Sequence, residues 1–536
     1  MTTKWYSLLA RWLPWLGLLS ACGPTASPLP KPLLERIPPA QSQLHFTNEL
    51  RESPQQNVLT YEYFYNGAGV AVADFNGDDS PDIYLLSNLA TNRLFLQRAD
   101  LTFRDVTDIS QSGGTRGFST GVCIVDINSD CRLDLYLCKS GRFTNPELRR
   151  NELLINEGNN ADGIPIFSEQ AQAYGLDIPA YSTQAAFFDY DRDGDLDLFL
   201  INHGIDTYAA EEIPQRQRSS SPLMGEMLFA NEEGFFREVT TEAGIVNNRL
   251  GFGLGLGISD LNDDGWPDVY VSNDYSGQDH LYVNQKDGTF QEQIEEATQQ
   301  ISFNAMGNDI GDINNDGWPD IVNLDMVAAD NYGIKTSMSA MNPAQFHALV
   351  DRGEHHQYMF NSLLLNQGPT PREGSPRFSN IGQLAGISNT DWSWAPLLLD
   401  LDNDGWQDLL ITNGIKRNIR NNDAVRVVQG LNERLTVNTP REEQRLLFQR
   451  MLQQFPRHEK PNYFFRNRGD LRFTDITADL GLDSIYSVSS GAAYADLDRD
   501  GDLDLVINNA GQPAFLLKNN ADQLGSHRSL LLRFAG

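Results

Sequence analysis

The stretch DLNDDGWPD (260–268) sets Asp260, Asp263, Asp264 and Asp268 within nine residues, and close copies recur along the 536-residue chain. There are seven in all: DFNGDDSPD (74–82), DINSDCRLD (126–134), DYDRDGDLD (189–197), DLNDDGWPD (260–268), DINNDGWPD (312–320), DLDNDGWQD (400–408) and DLDRDGDLD (496–504). Positions 1, 3, 5 and 9 are Asp or Asn throughout. They are Asp74, Asn76, Asp78 and Asp82; Asp126, Asn128, Asp130 and Asp134; Asp189, Asp191, Asp193 and Asp197; Asp260, Asn262, Asp264 and Asp268; Asp312, Asn314, Asp316 and Asp320; Asp400, Asp402, Asp404 and Asp408; Asp496, Asp498, Asp500 and Asp504. Carboxylates this dense repel one another unless something positive offsets them.

The spacing suits a hard divalent cation, which takes six to eight oxygens at about 2.3–2.6 Å. Side chains at alternate positions of a tight loop converge on one point, and position 7 offers a backbone carbonyl. Position 6 is Gly in five copies, where a sharp turn needs positive φ. Asp79 and Cys131 stand there in the first two loops and must make the turn with a Cβ. The 28 side chains are therefore candidate ligands for up to seven Ca²⁺, oxygen-rich loops without phosphate favouring calcium over magnesium. These are not EF-hands, which need an acidic position 12 between helices. Position 12 here is Leu85, Leu137, Leu200, Val271, Asn323, Ile411 or Ile507.

Strands must hold these loops. A small-residue strand precedes each loop, as in GAGVAVAD, GFGLGLGISD and SGAAYAD, and an apolar run such as DIYLL or DVYVS follows. Next comes a strand ending near Asn (NELLIN, DHLYVN, NSLLLN), then a Phe-led segment (FRDVT, FREVT, FTDIT). Four strands at a mean period of about 70 residues predict an all-β, seven-bladed β-propeller of four-stranded blades. The seventh repeat lacks its Phe-led strand. A spare one, QLHFTNEL (43–50), is expected to close the last blade and remove the exposed edges. Loop spacings of 88 and 96 residues hold two inserts, 333–360 and 416–460. The second carries an amphipathic helix with Leu447, Met451 and Phe455, expected to pack on the propeller.

The formal net charge of -31 disfavours nucleic acid and anionic membrane as direct partners. At the N-terminus, Lys4 and Arg11 flank a short apolar run (Leu13 to Leu19) ending in small residues, which predicts a signal peptide over 1–21. Residues 22–42 are Pro-rich and expected to be a tether. Cys123 and Cys138 flank one acidic loop and are either a pair or, with Cys131, small apolar fillers. Gly117–Gly121 fits G-x-S-x-G but leads into a strand, where a nucleophile elbow needs a helix. His203, His355 and His356 are the histidines to watch, each with a structural role expected. Arg468-Gly469-Asp470 stands where other repeats have hairpin turns.

Leu19-Ser20-Ala21-Cys22 resembles the lipobox of bacterial lipoproteins, which implies lipidation of Cys22 and anchoring to the bacterial cell envelope, most naturally the outer membrane. The loops and their preceding strands resemble the FG-GAP/VCBS repeats of integrin α-subunit propellers. Wider words resemble exported bacterial proteins related to cartilage acidic protein, often with an ASPIC/UnbV domain after the propeller. They include DNYGIKTSM, HHQYMFNSLLLNQG, IGQLAGISNTDWSWAPLLLDLDNDGW and GAAYADLDRDGDLDLVINNAGQPAF, and the resemblance spans roughly residues 60–520. It implies a propeller over 43–520, with 521–536 looking like the start of a truncated ASPIC/UnbV segment. It implies a calcium-binding extracellular propeller but supplies no reaction and no defined ligand. The expected function is non-catalytic ligand binding or adhesion at the bacterial cell surface, with an extracellular protein or glycan as partner and the membrane reached only through the lipid anchor. Two alternatives are a carbohydrate-active enzyme (polysaccharide lyase or hydrolase) on a calcium-stabilised propeller, and a structural subunit of a surface complex.

Overall fold

A computed structural model describes residues 32–205, 212–275, 277–337, 343–370, 374–436 and 438–524. The signal segment, Cys22 and most of the C-terminal tail lie outside these residues, as do Met338 and Met341 of the first insert. Among the described residues the chain builds seven four-stranded antiparallel sheets and one two-stranded parallel pair. The first sheet runs Val70–Ala73, Asp82–Leu85, Arg93–Ala99, Thr102–Asp105, in that order across the sheet. Each acidic loop joins the first two strands of its sheet. Second strands such as Asp82–Leu85 and Asp268–Asn273 are buried along their whole length, as their unbroken apolar runs require.

First strands of consecutive sheets lie beside one another, including those of the last and first sheets. Gly69 N donates to Thr120 O (2.8 Å), Thr120 Oγ1 to Ser182 O (2.8 Å) and Thr183 Oγ1 to Gly253 O (2.7 Å). Ala68 N donates to Ser490 Oγ at 3.1 Å across the last and first sheets. The small residues of these strands permit the approach. A Cβ on Gly121 would stand 2.3 Å from Thr183 O, and one on Gly307 2.3 Å from Trp394 O. A cavity of about 350 Å³ remains between the first strands, bordered at one end by Tyr61, Tyr63 and His203.

The strand that completes the seventh sheet is Leu34–Ile37, not 43–50. It pairs with Phe515–Asn519 in the register Leu34 to Asn519 and Ile37 to Leu516. Leu34 and Ile37 are buried, Glu35 and Arg36 face solvent, and the Arg36 guanidinium lies 4.2 Å from the Phe515 ring centroid. Phe46 instead fills the space between the seventh and first sheets, among Leu44, Ile83, Phe95 and Phe103. Residues 43–50 make only isolated bridges, Thr47 to Pro513 and Asn48 to Ala510. An aromatic at a sheet junction does not have to sit in the strand. The expected tether accordingly ends before Leu34, because Leu33, Leu34 and Ile37 supply apolar side chains within a Pro-rich stretch.

Both inserts are helical: Asn331–Ser337 and Pro343–Val350 in the first, Asn422–Asn432 and Arg441–Gln454 in the second. They follow the ends of second strands, away from the acidic loops. Leu447, Met451 and Phe455 are buried, and Leu452 of the same helix joins the core cluster of the strand residues Leu409, Ile411 and Phe465. A short 3₁₀ turn, Glu62–Tyr65, lies at the same end. Tyr65 of this turn donates to Glu52, which also accepts from Arg417 Nε and Nη2 at 2.9 and 3.0 Å. No described helix is long and apolar enough to cross a membrane.

Leu34→Ala should therefore cost about 2–4 kcal/mol of unfolding free energy. The exposed neighbour Glu35→Ala should stay within about 0.5 kcal/mol. Urea unfolding of both variants checks this assignment of the closing strand.

Candidate metal centres

The seven loops share one backbone frame. Position 6 has positive φ in every copy, including Asp79 (70°) and Cys131 (63°). Position 4 does too, a feature with no single residue type behind it: Gly77, Ser129, Arg192, Asp263, Asn315, Asn403 and Arg499. This double turn points the position-6 N–H at the position-1 carboxylate in all seven loops, at 2.7–3.2 Å. The position-7 N–H meets the position-5 carboxylate in the same way, at 2.8–3.0 Å in Asp78, Asp130, Asp264, Asp316 and Asp404.

Position 9 holds the frame to the sheet. Asp82, Asp134, Asp197, Asp268, Asp320, Asp408 and Asp504 are all buried. One oxygen of each accepts from the position-2 N–H, as Leu261 N to Asp268 Oδ2 (3.0 Å). The other accepts from the third strand, as Asn284 N to Asp268 Oδ1 (2.9 Å). The position-9 acids expected as ligands are thus strand-to-loop ties, whatever else their remaining lone pairs do. Burial raises these carboxyls against the two N–H bonds that lower them. The result is about 7 for Asp82, Asp197, Asp268, Asp320 and Asp408, about 6 for Asp134 and about 8 for Asp504.

The amide ending the third strand reaches the loop of the preceding sheet. Asn156 Nδ2 donates to Phe75 O, Asn284 to Tyr190 O, Asn366 to Leu261 O, Asn467 to Ile313 O and Asn519 to Leu401 O, at 2.8–2.9 Å. In the first sheet Gln97 takes this place and donates to Leu497 O of the seventh loop at 2.7 Å. Asn231 bonds within its own sheet, to Leu196 O.

Three loops bring three carboxylates together, with one oxygen of each within 4.8 Å of the others: Asp189, Asp191 and Asp197; Asp400, Asp402 and Asp404; Asp496, Asp498 and Asp500. Asp189 Oδ1, Asp496 Oδ1 and Asp498 Oδ1 are buried without a hydrogen-bond partner. An all-oxygen donor set with unmatched buried oxygens fits a hard cation. In the first, fourth and fifth loops the position-3 Asn turns its amide to position 5 instead, at 2.9–3.0 Å. In the second, Arg132 pairs with Asp130. Lys286 reaches Asp264 (3.2 Å), Arg466 reaches Asp402 (2.9 Å) and Lys518 reaches Asp498 and Asp500.

The remaining candidates are absorbed by the fold. Ser119 of G-x-S-x-G is buried within the strand Phe118–Val125. Arg468-Gly469-Asp470 forms the turn between Tyr463–Asn467 and Phe473–Asp475, with Gly469 at φ 70°. Cys123, Cys131 and Cys138 are free thiols, Cys123 standing opposite Tyr136 rather than Cys138. His203 Nε2 meets Tyr61 Oη (2.8 Å) and Ser140 Oγ (2.7 Å), and burial lowers it to about 4. His355 Nε2 meets Thr298 Oγ1 at 2.9 Å, while the His356 ring lies beside Phe346. One cluster had no sequence signal, because its members come from different sheets: His280 Nδ1 lies 3.1 Å from the buried Glu226. Burial opposes charge on that imidazole, but Glu226 outweighs it and raises it to about 9.

The FG-GAP-like repeat family model matches residues 74–137, 260–322 and 455–507. Cartilage acidic protein 1 of Xenopus tropicalis and of Homo sapiens are each 43% identical over 53 residues, which is 10% of this chain and 8% of theirs. Among solved structures, an Agrocybe aegerita lectin described as recognising non-reducing terminal N-acetylglucosamine aligns at TM-score 0.38 and 14% identity, over 77% of this chain and 81% of its own. The V. cholerae biofilm matrix protein Bap1 aligns at TM-score 0.30 and 14% identity, over 56% of this chain and 38% of its own. The chain carries FG-GAP-like repeats on a propeller-like, all-β fold.

Two outcomes follow from this geometry. Asp268→Ala strands the N–H groups of Leu261 and Asn284 and should lose about 2–5 kcal/mol even in EDTA, whereas Asn262→Ala in EDTA should cost under about 1 kcal/mol. An acid whose folded value is raised binds protons on folding, so stability falls as pH climbs from its unfolded value to its folded one. Melting in EDTA should therefore drop between about pH 4 and 7. Saturating calcium should abolish that drop.

Proposed function

We propose that this chain is an exported seven-bladed propeller, closed by its N-terminal strand, that binds calcium in its acidic loops and serves as a non-catalytic ligand-binding or adhesion module. Export by residues 1–21 and lipid attachment at Cys22 belong to the same reading, with the propeller occupying most of the chain after the tether. The observation that carries it is the common loop frame: in every loop the position-6 N–H fixes the position-1 carboxylate, and in the third, sixth and seventh loops three carboxylates come together. Asp at position 1, Asn or Asp at position 3 and Asp at position 5 would hold the ion, with Asp197 joining Asp189 and Asp191 in the third loop. When bound, the ion supplies positive charge that offsets the crowded carboxylates and rigidifies the turn.

The chain's own residues do the rest. Position-9 aspartates transmit order from loop to third strand, and most of the terminal amides transmit it to the preceding sheet. Groups able to move protons near the axial cavity are engaged internally. Asp309 accepts from Ile310 N and Leu398 N, and His203 from or to Tyr61 and Ser140. That engagement supports binding rather than catalysis. An extracellular protein or glycan is the expected ligand.

Seven sites filled well above their dissociation constants should raise the melting temperature by on the order of 10 °C or more between EDTA and millimolar calcium. No shift, with no metal by elemental analysis, overturns the calcium reading. A glycan array with product analysis then separates a binder, which retains intact glycan, from an enzyme, which releases fragments.

A further inference from the structure

The seventh loop is more acidic than its frame requires. Position 7, expected to give only a backbone carbonyl, is Asp502 here, and only the third loop shares that choice, with Asp195. Asp502 is 1% exposed. Its Oδ2 accepts from Asp522 N at 3.1 Å, while its Oδ1 is buried without a hydrogen-bond partner. Asp522 stands in the short helix Ala521–Leu524 that leaves the last strand. One oxygen each from Asp500, Asp502 and Asp522 lies within 4.8 Å of the others. Carboxylate oxygens held this close repel one another, and a hard cation between them removes that repulsion.

We infer that Asp500, Asp502 and Asp522 form a second divalent-cation site in the seventh loop, for calcium or a similar hard ion, sharing Asp500 with the Asp496–Asp498–Asp500 group. This rests on the reading of the loops as calcium sites. Charge supports a second ion. Six carboxylates gather here: Asp496, Asp498, Asp500, Asp502, Asp504 and Asp522. Lys518 Nζ lies 3.0 Å from Asp500 and also contacts Asp498. Arg499 turns away to Ser80 Oγ of the first loop at 3.3 Å. One divalent ion with Lys518 offsets half of the six charges; a second ion offsets most of the rest. The site also has a mechanical consequence. Asn520 accepts the chain's first described segment, donating from N to Leu33 O (2.8 Å) and from Nδ2 to Pro32 O (3.0 Å). An ion on Asp522 would pin this junction of incoming and outgoing chain to the seventh loop.

The test compares the full chain with D522N, at an exposed position, and with D502N. Calcium per chain is measured by equilibrium dialysis and elemental analysis, and amide exchange is followed over residues 520–524. The expected result is one calcium fewer in each variant than in the unsubstituted chain, with faster exchange over 520–524 in calcium and D522N melting within about 1 °C of the parent in EDTA. Equal stoichiometry in parent and D522N overturns the inference while leaving the loop sites standing. A parent chain that binds no calcium overturns both.

Discussion

A buried aspartate at the start of each second strand is the interaction on which the rest of this fold depends. Taking a carboxylate out of water is costly unless its oxygens find donors. Here each finds two, one N–H from inside the acidic loop and one from the third strand, as Asp268 does with Leu261 and Asn284. Only a short side chain with two acceptor oxygens does this. Asn would present a donor to a donor, and Glu would push the loop out of register. Loop, second strand and third strand are thereby one mechanical unit, repeated seven times.

Joining the units takes different chemistry at different points along the strands. Where first strands meet, small residues let them approach within hydrogen-bonding distance, and hydroxyls such as Thr120 and Thr183 bridge them. Beside the loops, an amide at the end of the third strand bonds the loop of the preceding sheet. The bond from Gln97 to Leu497 links the first sheet to the last with one more methylene than Asn has. At six of the seven junctions these ties hold a third strand to the loop of the preceding sheet.

The opposite end is built for cover. Tyr61, Tyr63 and the inserts fill it with apolar surface, and several of the polar groups enclosed there find partners. Tyr63 donates to Asp274 at 3.0 Å, and Glu52 holds Arg417. Such matching keeps buried polar groups from destabilising the cap.

What the sequence determined by itself was most of what repeats. Seven copies of one acidic spacing made the loops, the four-strand unit and the candidate ligands legible, because a local turn and a strand's burial pattern are written in adjacent residues. The positive φ at position 6 was legible through Gly, whereas that at position 4 was not, since its occupants range from Gly77 to Arg499. Only tertiary structure decided what is made from distant residues. Leu34–Ile37 completes the last sheet although Phe46 carries the stronger word, because strand choice turns on which segment meets the open edge, while a Phe can fill a junction from a loop. The pairing of His280 with Glu226 and the approach of Asp522 to Asp502 likewise join separate strands and segments. No spacing encodes them, since contact between distant residues is set by how the chain closes on itself.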